Sequence, residues 1–195
     1  MSGAPLILAS ASPRRRALLE QIGVRPDEII AADIDESIEP GEMPRAYALR
    51  VAQAKAGAIA TMEAGVFVLA ADTVVAAGRR ILPKAEDEDT ARAFLRLLSG
   101  RSHMVYTGLA LAAPGDTLRT RIVGTRVKVR RLNNADIRAY LASGEWRDKA
   151  GAYAIQGLFG AHVAGIVGSY SNVVGLPLYE TWNLLMGAGW RPNAS

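Results

Sequence analysis

The sequence predicts a mixed α/β protein, with a central sheet and helices packed against it. Three observations predict this. Strand-like and helix-like periodicities alternate along the chain, and a continuous aliphatic run bounded by glycines, Gly65 to Gly78, calls for a strand buried on both faces. In addition, two long strand-like runs flank the hairpin signal Pro114-Gly115-Asp116, so part of the sheet is antiparallel. With 195 residues, no low-complexity linker and no internal repeat, the expected organisation is one domain over residues 1–195.

The elements follow in order. Leu6–Ala9 reads as a short buried strand. Ser12 is placed as N-cap and Pro13 at the first helical position of a helix running to about Gly23, since proline lacks only an N–H that the first turn leaves unused. A strand around Glu28–Ala32 leads into the acidic turn Asp33-Ile34-Asp35-Glu36, and Pro44 opens an Ala-rich helix to about Glu63. Val66–Ala77 is a strand and Ile81-Leu82 is strand-like. Glu86–Leu98 is a helix, with acids in its first turn and Gly100 just past its end, as the helix dipole and the C-cap favour. Met104–Ala112 and Arg119–Arg131 are the hairpin strands, Asn133–Leu141 is a helix closed by Gly144, a short strand lies near Val163–Val167, and a last helix starts at about Leu178.

Composition removes several function classes. There is no cysteine, which excludes a disulfide framework, a thiolate zinc site and a cysteine nucleophile. The balance of 23 Lys plus Arg against 19 Asp plus Glu gives a net charge of +4, too small to mark a nucleic-acid binder. Aromatic residues make up only 6%, without interleaved basic and aromatic runs, which argues against a single-strand binding surface. The longest apolar run is interrupted by Asp72 and too short to span a membrane, and the apolar Leu6–Ala9 precedes the arginine cluster, the reverse of a secretory signal, so a soluble chain is expected.

Local physics leaves a few residues unexplained. A helix N-terminus carries free N–H groups and partial positive charge, yet Arg14, Arg15 and Arg16 crowd this one. With the Ser10 and Ser12 hydroxyls they make a site for a phosphate chain, the alternative being a solvated patch or pairing with acids elsewhere. On the Pro44–Glu63 helix, Tyr47, Ala48, Val51, Ala54, Ala58, Ile59 and Met62 share one sector with Lys55 near its middle. That lysine either snorkels to water, as its flexible stem favours, or meets an anion. Lys84, ahead of an acidic helix start, has a surface ion pair as its plain reading.

Asp72 lies inside the buried strand, where a carboxylate is costly unless paired, hydrogen-bonded or metal-bound, and this favours a functional role. In a regular strand Thr73 points to the opposite face, so both act together only where the strand bends or ends. Asp35 and Glu36 suit a hard divalent ion, although adjacent acids in a turn are commonly just solvated. The small residues of Lys149-Ala150-Gly151-Ala152-Tyr153-Ala154-Ile155-Gln156-Gly157 mean close backbone packing or contact with a ligand, and Gln156 has the paired donor and acceptor to read a base edge. His103 and His162 have no ligand spacing and read as structural.

Taken together these segments resemble the Maf family of nucleoside triphosphate pyrophosphatases, also called septum formation inhibitor Maf. The resemblance runs from Leu8-Ala9-Ser10-Ala11-Ser12-Pro13-Arg14-Arg15 through Ala71-Asp72-Thr73-Val74-Val75, Leu98-Ser99-Gly100-Arg101-Ser102-His103 and Thr107-Gly108 to Lys149-Ala150-Gly151-Ala152-Tyr153 and Val174-Gly175-Leu176-Pro177-Leu178. It implies an elongated α/β fold like that of the inosine triphosphate pyrophosphatases, with two lobes around a cleft. It also implies cleavage of a nucleoside triphosphate to the monophosphate and pyrophosphate with Mg²⁺ or Mn²⁺, in the cytoplasm and often as a dimer. Asp72 matches the family's proton acceptor. Arg14, Thr73 and Gln156 match positions associated with substrate choice, and Lys55 and Lys84 match lysines lining the phosphate cleft. Ser10 and Arg15 join the substrate-binding set, and Asp35, Glu36 and Asp72 are the metal candidates. The 151–157 segment is similar to the dTTP/UTP branch rather than to the 7-methyl-GTP branch. The sequence departs from the usual pattern at Pro83-Lys84-Ala85, Ala154 and His162. The alternatives are a 7-methyl-GTP pyrophosphatase and a non-catalytic nucleotide-binding regulator of septum formation.

Overall fold

A computed structural model of the protein describes residues 4–62, 65–115 and 117–192. Its elements are β1 (Leu6–Ala9), α1 (Pro13–Gln21), β2 (Glu28–Ile29), α2 (Pro44–Ala60), β3 (Phe67–Ala77), β4 (Arg80–Leu82), α3 (Glu88–Leu98), β5 (Ser102–Ala113), β6 (Thr117–Val129), α4 (Asn134–Ala142), β7 (Val163–Val167), α5 (Tyr170–Val174) and α6 (Leu178–Gly187), with a 3-10 turn at Leu158–His162. The expected mixed α/β architecture is present as a seven-stranded sheet in the order β2-β1-β3-β5-β6-β7, with β4 also on β3. Pairing of β1 with β2 and β3 is parallel, and the rest is antiparallel.

Several boundaries differ from the sequence reading. The strand expected over Glu28–Ala32 is only two residues long, and its last bond to β1 runs from the Ile30 N–H to the Leu8 carbonyl at 3.1 Å. Helix α3 starts at Glu88 rather than Glu86, since the Asp87 side chain caps it by accepting the Thr90 N–H. Asn133 is a cap rather than a helical residue and forms a reciprocal capping box with Asp136. Ser12 is the N-cap by position, but its side chain makes no capping bond; its own N–H donates to Ser10 Oγ at 3.2 Å. Neither α5 nor the 3-10 turn was expected. Two expected positions, the helix end at Glu63 and the turn residue Asp116, lie outside the described residues.

Strand alternation divides the core. Leu6, Leu8, Leu69, Ala71, Val75, Leu109 and Leu111 pack on one face with α1, α3, α4 and α6. Ile7, Ala9, Val68, Ala70 and Ala110 pack on the other with α2 alone. The buried arc of α2 comprises Tyr47, Ala48, Val51, Ala52, Lys55, Ala56 and Ile59. Ala54 and Met62 are exposed, which corrects the expected sector: Ala54 sits at its rim and Met62 lies beyond the helix end. Helix α2 comes close to β5 because position 108 has no side chain. Among the described residues no helix is long and apolar enough to cross a membrane.

His103 is structural, as expected. It is 3% exposed, with Nε2 at 2.7 Å from the Tyr153 hydroxyl, and burial pulls its pKa down to about 4. The unfolded chain then binds the extra proton first as pH falls below about 6.5. Stability contributed by neutral His103 is therefore complete above pH 6.5 and is lost towards pH 4, by up to about 3 kcal/mol. Urea unfolding at pH 7 and pH 4.5 should show a smaller pH-dependent loss in His103→Gln than in the parent. Equal losses would remove His103 as the cause. His162, at an unusual position for an imidazole in this pattern, stacks edge-on against Phe159 with ring centroids 5.5 Å apart.

Candidate active site

The site lies at a gap in the sheet edge. Pairing of β1 with β3 ends at Ala70, and pairing of β4 with the same edge begins at Val75, so on that edge residues 71–74 have no strand beside them among the described residues. A cavity of about 700 Å³ opens there, lined by residues of the β1–α1 turn, the acidic loop, α2, β3, the loop before α3, the 148–156 segment and the end of α5. The gap answers the question of opposite faces. β3 neither bends nor ends at Asp72 and Thr73, whose register partners on β5 are Gly108 and Thr107. The neighbouring strand ends instead, and the cavity wraps round the bare edge to touch side chains from both faces.

On the α2 face, Asp72 is 7% exposed and Lys55 8%. Lys55 Nζ donates to Asp72 Oδ1 at 2.8 Å and pairs with Glu36 Oε1 at 2.9 Å. Lys55 therefore meets two anions rather than snorkelling, the opposite of what its flexible stem favoured. Among the described residues Asp72 Oδ2 has no hydrogen-bond partner. Glu36 is brought to Lys55 by two straps on its loop: Tyr47 Oη donates to the Glu36 carbonyl at 2.8 Å, and Arg50 donates to the Ser37 carbonyl at 2.9 Å. Burial and the nearby Asp72 and Glu36 carboxylates push the Tyr47 pKa up to about 12.

On the other face, Arg15 is held by three bonds: Nε to the Gly175 carbonyl at 2.9 Å, one terminal nitrogen to Ser10 Oγ at 3.0 Å and the other to Thr73 Oγ1 at 3.3 Å. Thr73 Oγ1 continues to Thr107 Oγ1 at 2.9 Å, and Thr107 donates to the Asn172 carbonyl, tying α5 to the site. Burial lowers the Arg15 pKa, with Asp72 opposing that effect. Two of the five guanidinium N–H groups remain for a ligand. Arg14 lines the cavity with no side-chain hydrogen bond among the described residues; burial lowers its pKa, partly offset by Asp148. Arg16 pairs with Glu20 at 2.8 Å on the surface, so one of the three arginines has the plain explanation and two do not.

Ser10, Lys84 and Gln156 also line the cavity. Lys84 makes an antiparallel bridge to Ala150, which joins the two loops. A β-carbon on Gly151 would lie 2.7 Å from Val75 Cγ1, so this part of the small-residue segment serves close packing, and Ala152 pays for the turn with a φ of 57°. Lys149 is a lining cation that the sequence reading did not single out. Burial and Arg14 lower its pKa, and its place before the Ala-Gly run was the available signal. The Gly175 carbonyl was also missed, and a backbone acceptor leaves no trace in side-chain chemistry.

The metal candidates separate. Glu36 and Asp72 both reach Lys55 Nζ, so their oxygens converge on one region of the cavity wall. A Mg²⁺ or Mn²⁺ ion held there would use the carboxylate oxygens that Lys55 leaves free and take its other ligands from phosphate and water. Asp35 is not brought to them. Its carboxylate accepts the Ser37 N–H at 2.8 Å in a local turn, which holds it below the usual carboxylate range, and it does not line the cavity. Among the described residues no three His, Cys, Asp or Glu side chains are grouped to hold an ion by themselves.

Fold and site thus define an α/β protein with a deep, cation-lined pocket for a polyanion and one buried carboxylate inside it. The chain belongs to the Maf-like protein family, whose profile matches residues 5–188. It is 56% identical to a protein of Rhodopseudomonas palustris (strain BisB18) named dTTP/UTP pyrophosphatase, over 97% of this chain and 95% of that one. It is 56% identical to a protein of the same name from Caulobacter vibrioides, over 98% of this chain and 99% of that one. Among solved structures it is similar to a HAM1 protein from Coxiella burnetii, with 18% identity and a TM-score of 0.49 over 94% of this chain and 99% of that one.

Proposed function

We propose that this chain is a nucleoside triphosphate pyrophosphatase that cleaves dTTP and UTP to the monophosphate and pyrophosphate. The observation that carries the reading is Asp72: a buried carboxylate with one oxygen held by Lys55 and the other without a partner among the described residues, inside a pocket lined by Arg14, Arg15, Lys84 and Lys149. The names of the 56%-identical relatives support the pyrimidine nucleotides over 7-methyl-GTP.

In this reaction Asp72 Oδ2 accepts a proton from water while the water oxygen attacks the α-phosphorus. The bond from that phosphorus to the α,β-bridging oxygen breaks, and pyrophosphate leaves with the bonding pair. Lys55 fixes the Asp72 carboxylate so that Oδ2 faces the pocket. Arg14, Lys84, Lys149 and the remaining Arg15 N–H groups balance the charge of the triphosphate and of the departing pyrophosphate. A Mg²⁺ or Mn²⁺ ion held by Glu36 and Asp72 would supply Lewis-acid polarisation of the phosphate. Thr73 and Gln156 contact the nucleoside end, where Gln156 offers both a donor and an acceptor to a pyrimidine edge.

Incubating the protein with dTTP, UTP, dCTP, GTP and 7-methyl-GTP plus Mg²⁺ or Mn²⁺ tests this. Equimolar monophosphate and pyrophosphate, fastest from dTTP and UTP, is the expected result. Release of orthophosphate alone, or of nothing from any nucleotide, would overturn it, and preference for 7-methyl-GTP would move the substrate assignment to the other branch.

A further inference from the structure

Gln156 is exposed at the cavity, and its side chain makes no hydrogen bond among the described residues. The fold therefore controls its aim only through the backbone that carries it. Its neighbour Ile155 is buried, and the following Gly157 donates its N–H to the Ala154 carbonyl at 3.2 Å. Two side chains from outside the cavity hold this turn at its ends. The Tyr140 hydroxyl, from α4, accepts the Ala154 N–H at 3.0 Å. Glu145, from the turn after α4, accepts the Leu158 N–H at 2.8 Å, through an Oε2 atom that satisfies the first donor of the 3-10 turn.

The Glu145 carboxylate is also seated against the turn itself. A β-carbon at position 157 would lie 2.6 Å from Glu145 Cδ, so Gly157 leaves room for the carboxylate and the carboxylate in turn limits where Gly157 can move. Tyr140 is 2% exposed and stacks edge-on against Phe159, with centroids 5.1 Å apart, so its hydroxyl is a fixed point. Neither residue lines the cavity.

We propose that Tyr140 and Glu145 are positioning residues for base selection, a two-point clamp that fixes the Ala154–Leu158 backbone and thereby the reach of Gln156. The proposal rests on the reading that Gln156 faces the base. Misplacing a polar group by a fraction of an ångström weakens a hydrogen bond to one base more than it weakens the phosphate contacts, which lie outside the Ala154–Leu158 turn.

The test compares Glu145→Ala, Glu145→Gln, Tyr140→Phe and Gln156→Ala, measuring kcat and KM by pyrophosphate release from dTTP and dCTP, with thermal unfolding of each variant. Glu145→Ala should lower the dTTP-to-dCTP ratio of kcat/KM about tenfold, mainly through KM for dTTP, the scale of one hydrogen bond. Glu145→Gln keeps an acceptor oxygen and should recover most of the ratio. Tyr140→Phe keeps the ring but not the acceptor and should shift the ratio in the same direction as Glu145→Ala. A purely structural role would lower the unfolding temperature and slow both nucleotides by a common factor. An unchanged ratio in Glu145→Ala beside a changed one in Gln156→Ala would overturn the clamp alone. An unchanged ratio in Gln156→Ala would overturn both the reading of Gln156 and the clamp built on it.

Discussion

Replacing Asp72 by Asn should lower kcat by about three orders of magnitude while nucleotide binding is retained. The amide is close in size to the carboxylate, and its oxygen can still accept from Lys55 Nζ, so the pairing of Lys55 with Glu36 and the packing of α2 on β3 have no reason to change. What is lost is the free carboxylate oxygen that takes the proton from water, a role an amide cannot fill. Binding of a non-hydrolysable triphosphate, measured without added divalent metal, should stay within a few-fold of the parent, because the arginine and lysine side chains around the pocket are untouched. Steady-state pyrophosphate release is the readout. Activity above about a tenth of the parent would mean that another group accepts the proton.

Replacing Gly108 by Ala should destabilise the protein by about 3 kcal/mol and reduce activity along with it. Gly108 sits opposite Asp72 in the sheet register and beneath the first turns of α2. A β-carbon there would lie 2.6 Å from the Ala48 carbonyl carbon and 2.8 Å from Leu49 Cα. These are backbone atoms, with no rotamer to relieve the clash, so the helix itself must lift from the sheet. Lys55 and Tyr47 ride on that helix, and lifting it weakens both the contact with Asp72 and the strap on Glu36. Urea unfolding and kcat/KM should fall together. A change in stability within about 0.5 kcal/mol would show that helix and strand are not in such close contact.

The sequence carried those parts of the site whose anomaly is local. A carboxylate inside an aliphatic strand and arginines at a helix start are both out of place within a few residues of chain, and both are found at the cavity. It did not separate Arg16 from Arg14 and Arg15, because the separation depends on Glu20 and on which way the first turn faces. It also could not show that Lys55 has partners, since Glu36 and Asp72 arrive from two other elements. Asp35 was drawn in by adjacency to Glu36, whereas a turn points neighbouring side chains in different directions and its own amides claimed the Asp35 carboxylate. Sheet, helices and hairpin were legible from periodicity and turn residues. The short α5 and the 3-10 turn were not, being held by long-range bonds such as those of Asn172 to Val105 and Thr125.

The interruption between β1 and β4 has a consequence for how the protein behaves in a crowded solution. A bare strand edge is ordinarily a template on which other chains polymerise. Here the bare stretch is only residues 71–74, stopped at each end by strands of the same molecule and surrounded by guanidinium and ammonium groups. A foreign strand has too little length to gain ladder bonds there and would have to bring apolar side chains among fixed charges. A small, highly charged molecule meets neither obstacle. The sheet can therefore leave backbone open at its centre for a ligand without offering a seed for self-assembly.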